Sequence, residues 1–341
     1  MLGHTVTIKL LLLTLAYTAT YALQKNIHES PVPLVNGVVS HELFREELLE
    51  GSKDLAPTLP KKCPNATSIS PCVCTHGNII LTIIDLDCSQ VADEVELETI
   101  FKEDFPNRHF RMFNMSHSPL KILPKSVFGN HLVDQFRFEI VDFSHSALEE
   151  VEKDAFQHSN KLLSVVDMTG AKLNTFPFES IEEFQVLSQM LVHENQYSEI
   201  PPLVSSSLRD LTVGSSSLTQ LPEFSVGSLP SLQILGVQHS PLDTITPGQF
   251  VNLESLQWLV LHDVGLTTLE TDTFLLNDNL LGRNITFFIH IEDNSIQEIQ
   301  PDAIYSTGDT WVFLRGNSLS ILDKDVWQSL LDNGVIVDVY G

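Results

Sequence analysis

Apolar residues recur along this chain in one frame. From a first apolar position, further apolar residues stand at positions four, six, eleven and fourteen, with a small polar residue commonly at position nine. One copy reads Leu187, Met190, Val192, Asn195, Tyr197 and Ile200; another reads Leu256, Leu259, Leu261, Val264, Leu266 and Leu269. The frame starts at Phe110, Phe138, Leu163, Leu187, Leu208, Leu232, Leu256, Thr286 and Asp309, with successive copies 21 to 30 residues apart. Only Thr286 and Asp309 break the apolar slots. A chain that is 43% hydrophobic would leave more than half of them polar by chance, so coincidence is excluded.

Positions four and six lie two apart, so both face one side of a short strand, while positions one, eleven and fourteen fill the interior from the flanking turns. A single copy cannot bury its apolar side alone, and neighbours must stack. Frame and spacing together are those of the leucine-rich repeat. They predict an α/β repeat solenoid, a leucine-rich repeat horseshoe with a parallel sheet on its concave side. Eight residues past position eleven, Phe128, Phe156, Ile181, Val226, Phe250, Phe274, Ile304 and Trp327 form a second apolar series, broken by Ser205, that should stack as a spine. At position nine Asn195, Asn294 and Asn317 can bond backbone groups of the adjacent turn. Ser118, Ser146, Ser216 and Ser240 can replace part of that bonding; Ala171 and Val264 cannot, so their turns are expected to differ.

The ends divide differently. Residues 1–22 read as a secretory signal, with Lys9, an apolar core from Leu10 to Ala16, and Thr20–Tyr21–Ala22 as a cleavage site. A membrane anchor is the alternative, but that core is too short to span a bilayer. Residues 23–62 carry no repeat and read as a flexible leader. The region 63–109 holds all four cysteines and reads as a disulfide-bonded N-terminal cap, in line with export. About nine repeats fill 110–334. Residues 335–341 alternate as a final partial repeat, and no second cysteine-bearing cap follows it; the expectation is a chain that continues. Three glycosylation sequons start at Asn65, Asn114 and Asn284.

Charge excludes some partners. Asp plus Glu outnumber Lys plus Arg by 44 to 19, a net charge of −25. That charge repels phosphate backbones, which argues against nucleic acid and anionic membranes. Positions three, five, seven and eight should point outward from the sheet. They carry Asp142, Asp167, Glu194, Asp210, Asp263, Glu292 and Asp293 against one base, Arg315, with His117, His145, His193, His239, His262 and His290. The last three copies place Trp258, Phe288 and Trp311 at position three, with Phe313 nearby. Neighbouring strands lie about 4.8 Å apart, so these rings should form a ladder that no core explains. The four are candidate partner-binding residues; cover from a further cap or the leader is the alternative. His262, Asp263, His290, Glu292 and Asp293 are too loosely spaced to assign a metal, and a pH-sensitive or plainly solvated face explains them better. No catalytic motif is present, so neither catalytic residues nor a cofactor are assigned.

The cap phrases go further. Cys63–Pro64–Asn65, Ile69 to Cys74, Leu86–Asp87–Cys88–Ser89, Ile100–Phe101, Phe105–Pro106, Val127–Phe128–Gly129 and Phe176–Pro177–Phe178 resemble an arthropod family of secreted leucine-rich repeat proteins, from about Cys63 to Val339. The family is named after the oplophorus-luciferin 2-monooxygenase non-catalytic subunit. The resemblance implies a non-enzymatic accessory subunit that binds, and stabilises, a small secreted coelenterazine-oxidising luciferase; an extracellular recognition or adhesion module is the alternative. The four cysteines by themselves allow three pairings. Caps of this kind pair first with third and second with fourth, which implies Cys63–Cys74 and Cys72–Cys88.

Overall fold

The computed structural model describes residues 62–76, 83–129, 135–276, 286–305, 310–320, 323–332 and 334–338. The signal segment 1–22, the leader up to residue 61 and Asn284 lie outside them. One twelve-stranded sheet runs through the described residues in sequence order. Its strands are β1 (Val73–His76), β2 (Ile84–Asp87), β3 (His109–Asn114), β4 (Arg137–Asp142), β5 (Val165–Asp167) and β6 (Gln189–Asn195). It continues through β7 (Asp210–Ser215), β8 (Ile234–Gln238), β9 (Trp258–His262), β10 (Phe287–His290), β11 (Thr310–Phe313) and β12 (Val335–Asp338). Only β1 and β2 pair antiparallel; every later pair is parallel, as stacked repeats require. The expected parallel-sheet solenoid is the fold observed.

The cap has the pairing that the resemblance implies. Cys63–Cys74 and Cys72–Cys88 are bonded, with Cα separations of 5.7 and 4.3 Å. Its β2 pairs with β3 and so joins the cap to the array. Helix α1 (Glu94–Phe101) starts at Asp93, whose carboxylate accepts from the Glu96 backbone N–H at 2.8 Å. That is a favourable N-cap for otherwise orphaned donors. Glu94 reaches into the first repeat and accepts from the Lys121 and Ile122 backbone N–H groups. The buried face of α1, Leu97, Ile100 and Phe101, closes the apolar end of the array.

The core behind the sheet holds the positions the frame assigns to it. Fully buried side chains include Phe110, Phe113, Phe128, Phe136, Phe138 and Phe143. They pack edge-to-face and offset, Phe101 to Phe136 at 4.7 Å, Phe128 to Phe138 at 4.8 Å and Phe113 to Phe138 at 4.9 Å. Such pairing adds to burial that is worth about 1.5–3 kcal/mol for each large apolar side chain. Further along, the interior is aliphatic, with Leu256, Leu259, Leu261, Leu266, Ile289, Ile291 and Ile296 buried. The spine is present at Phe128, Phe156, Ile181, Phe250, Phe274 and Ile304. Val226 is not part of it: it is 73% exposed, and Phe224, two residues earlier, is buried and stacks 6.3 Å from Phe250. The side chain of Trp327 lies outside the described residues.

Position nine works across repeats. Asn195 accepts from the Leu173 N–H of the preceding turn at 3.0 Å and donates to the carbonyls of Met168 and Val192. Asn294 accepts from the N–H groups of Val264 and Leu266 and donates to Leu261. Asn317 does the same for Ile296 and Ile291. The turns at Ala171 and Val264 therefore keep their bonding, because the amide that serves each comes from the following repeat. Ser240 accepts from the Ser215 N–H and donates to Gln238. Ser216 is solvent-exposed, and Ser215 holds the buried place instead.

That slip has a local cause. The β6–β7 register shifts between Val192 and Asn195. Tyr197 fills the gap: its hydroxyl donates to the Val192 carbonyl at 3.0 Å and accepts from the Gly214 N–H at 2.8 Å. A side chain at Gly214 would collide with the Gln238 carbonyl at 2.0 Å. The 21-residue spacing of this copy depends on that phenol and that glycine.

The partial repeat is a full strand, β12, parallel to β11. A helix the frame does not foretell, α2 (Lys324–Asp332), precedes it and buries Val326 and Leu330.

Candidate functional site

The open face of the sheet differs along its length. In the first repeats position five is an Asx residue that bonds its own chain. Asn114, Asp142 and Asp167 each accept from the backbone N–H two residues on, at Ser116, Ser144 and Thr169, all at 2.9 Å. These side chains lie in register on adjacent strands. Their chemistry is committed to ending the strand. Asn114 is thus a structural turn residue as well as a sequon; Asn65, the other described one, is exposed and accepts from Thr67.

Position eight is not a face position. His117, His145, Glu194, His239, Asp263 and Asp293 have φ between 48° and 58°, and Gly170 and Gly316 are also positive. This is the left-handed region, where His, Asp and Asn are enriched among non-glycine residues. Three of the six histidines therefore stand where the strand turns away. His117 and His145 stack there at 5.4 Å.

Midway, buried polar groups sit on the face. His193 is buried, and the loss of hydration pushes its imidazole down to about 4. Burial raises the Asp167 carboxyl, and it pushes Asp210 up to about 6 against the opposing hydrogen bond from Gln189 at 2.9 Å.

The later repeats carry the aromatic ladder. Trp258, Phe288 and Trp311 occupy one register row on β9, β10 and β11. Trp258 stacks on Phe288 with centroids 4.2 Å apart and planes within 20°. Phe313 lies in the next row and stacks at 4.3 Å on His290, whose ring is parallel to Trp258 at 5.7 Å. All five side chains are half-buried, between the core and solvent. His290 is the member that reading by residue type missed; its position five, in register with Phe313, was the available signal.

Histidine–carboxylate pairs step along the same edge. His239 lies 3.0 Å from Asp263, His262 3.7 Å from Asp293, and His290 3.0 Å from Glu292. Burial lowers the His262 pKa, although Asp293 opposes it. The pairs do not converge: among the described residues no group of three His, Cys, Asp or Glu side chains is placed to hold a metal ion. No described helix is long and apolar enough to cross a membrane.

Comparison with known proteins agrees with this geometry. The family described as "Leucine rich repeat" matches residues 206–266. Over 278 residues the chain is 26% identical to the Oplophorus-luciferin 2-monooxygenase non-catalytic subunit of Oplophorus gracilirostris, covering 81% of this chain and 75% of that protein. It is 39% identical over 66 residues to leucine-rich repeat and fibronectin type-III domain-containing protein 4 of Rattus norvegicus, 19% of this chain and a tenth of that one (10%). A chain of the crystal structure of a TLR13–ssRNA13 complex aligns at 15% identity and a TM-score of 0.45, over 73% of this chain and 38% of that one. The extended match is to a protein named as non-catalytic, which accords with a sequence that carries no catalytic motif. The fold is a leucine-rich repeat solenoid, residues 206–266 match the leucine-rich repeat family, and the chain is similar over most of its length to a luciferase's non-catalytic subunit.

Proposed function

We propose that this chain is a secreted, non-catalytic binding protein that docks a separate secreted protein on the open face of β9 to β11, as an accessory subunit of a luciferase-type complex would. The aromatic ladder at Trp258, Phe288, Trp311 and Phe313 carries the proposal. Most other large rings of the array lie in the core, with Phe176, Phe184 and Tyr305 as exceptions, whereas these four stand together, partly exposed, on the open face of the sheet. Aromatic residues at such positions concentrate binding energy. Two disulfides suit an oxidising compartment, in line with the signal-like residues 1–22. The accessory role draws on the relative's name; the shorter match to the rat protein covers 19% of the chain, and it supports the recognition-module alternative less.

The test is calorimetry of the purified chain with a purified luciferase catalytic subunit, wild type against Trp258→Ala and Trp311→Ala. The expected loss is about 2 kcal/mol or more in binding with the thermal midpoint little changed. Unchanged affinity in folded variants removes the ladder from the interface. An absence of binding by the wild type removes the luciferase partner.

A further inference from the structure

The geometry points to a cationic partner: the ladder and the carboxylates of Asp263, Glu292 and Asp293 along its edge form a docking surface for an arginine-bearing, positively charged protein surface. This deepens the reading above and rests on it.

The shape comes first. Trp258 against Phe288 and His290 against Phe313 are stacked face to face, so each pair shields its own ring faces. A partner meets a flat apolar strip across three adjacent strands, roughly 10 Å wide at the usual strand separation. The charge lies beside the strip. The side chains of Asp263 and Asp293 are 61% and 62% exposed, and both residues hold left-handed turns at the same frame position, where β9 and the strand after it end. Glu292 stands between them in sequence and is more covered. Among the described residues each carboxylate has a histidine as its ion-pair partner. Burial keeps the His262 pKa below its ordinary value, so at neutral pH that ring leaves the Asp293 charge uncompensated. Arg315 is the one basic side chain at the outward positions of these repeats.

An arginine fits both halves. Its aliphatic stem lies along apolar surface while its planar guanidinium takes a carboxylate through two hydrogen bonds; lysine supplies only a point charge. Other occupants fit worse. A second copy of the chain brings another net charge of −25 to the same place, and an anionic bilayer is repelled for the same reason.

The experiment uses the full chain and a synthetic peptide alternating glycine and arginine, with the glycine–lysine peptide as control, followed by calorimetry. The arginine peptide should bind at least tenfold more tightly than the lysine peptide. Its affinity should fall at least tenfold between about 0.05 and about 0.5 M salt, as screening shortens the reach of exposed charges. Trp258→Ala should lower it at least tenfold, and Asp263→Asn with Asp293→Asn at least fivefold; both asparagines tolerate the left-handed turn, so folding is kept. Equal affinity for both peptides, or binding indifferent to salt and to the asparagine pair, overturns the inference. So does a self-dimer, seen by light scattering, that Trp258→Ala abolishes. The two readings fail separately. If the catalytic subunit binds through Trp258 and Trp311 without salt dependence, the ladder stands and the cationic partner falls. If the tryptophan variants bind everything as the wild type does, the ladder itself is wrong.

Discussion

The two ends of the array differ in whether aromatic side chains also reach the open face of their one continuous sheet. Near the cap, Phe110, Phe113, Phe138 and Phe143 fill the interior, and the open face carries Asn114, Asp142 and Asp167, each bonded to its own backbone. Near β9 to β11 the interior is mainly leucine and isoleucine, with Phe274 and Phe287 buried among them, and the rings of Trp258, Phe288, Trp311 and Phe313 lie on the open face. The repeat frame is the same in both places. At the first end strand termination accounts for the position-five Asx residues and position three carries the half-buried Met112, Ile140 and Val165; the second end puts large rings in that same row. An outward residue acquires functional meaning only after its structural duties have been subtracted.

Substitutions can break this contrast. Phe138→Ala, in the buried ring cluster, should cost about 3–5 kcal/mol in urea unfolding, while Phe313→Ala should cost about 1 kcal/mol or less. Similar losses at both sites would mean that the ladder is core after all. Between the two regions lies Asp210, whose folded-state pKa of about 6 stands above its ordinary 3.8. The charged form therefore lowers stability above pH 6, and that cost fades as the pH falls from 6 towards 3.8. Asp210→Asn should accordingly stabilise the protein at pH 7, by up to about 3 kcal/mol, and lose its advantage by about pH 4. Urea titrations at the two pH values check the sign; a destabilised variant at pH 7 would make the carboxylate a needed bond. The smallest effect separates the acids. Asp142→Ala should cost about 1 kcal/mol through loss of its turn bond to Ser144. Asp263→Asn should change stability by less than about 0.5 kcal/mol and act on partner binding alone; the same unfolding curves, run beside the calorimetry, decide it.

The core was legible because it depends on local period. Leu187 or Leu261 is inward wherever its repeat sits, since alternation along a strand and the return of the turn are properties of a few consecutive residues. The misreadings fall where one repeat adjusts to its neighbour. Val226 and Ser216 were assigned by counting; the register shift after Val192 pairs Asn195 with Ser215, which holds the buried place, and Phe224, two residues before Val226, fills the spine. Position eight was read as outward-facing, whereas it is the left-handed residue at which the strand ends, and His117, His145 and His239 answer that turn. Ala171 and Val264 raised concern over lost bonding because neither side chain can bond backbone groups. Asn195 and Asn294 reach back to the previous one.

The sequence alone determined the solenoid, most of the buried series and the row that carries Trp258, Phe288 and Trp311. The cap pairing was recoverable through its resemblance to known caps. Only the tertiary structure decided that Phe313 stacks on His290 rather than joining the tryptophan row, that α2 precedes β12, and that the carboxylates of Asp263 and Asp293 flank the strip. The reason is the range of the interactions. Side-chain direction follows from neighbouring residues, but the partner across a parallel sheet comes from a repeat 21 to 30 residues away, and its register is settled by how the turns between them pack.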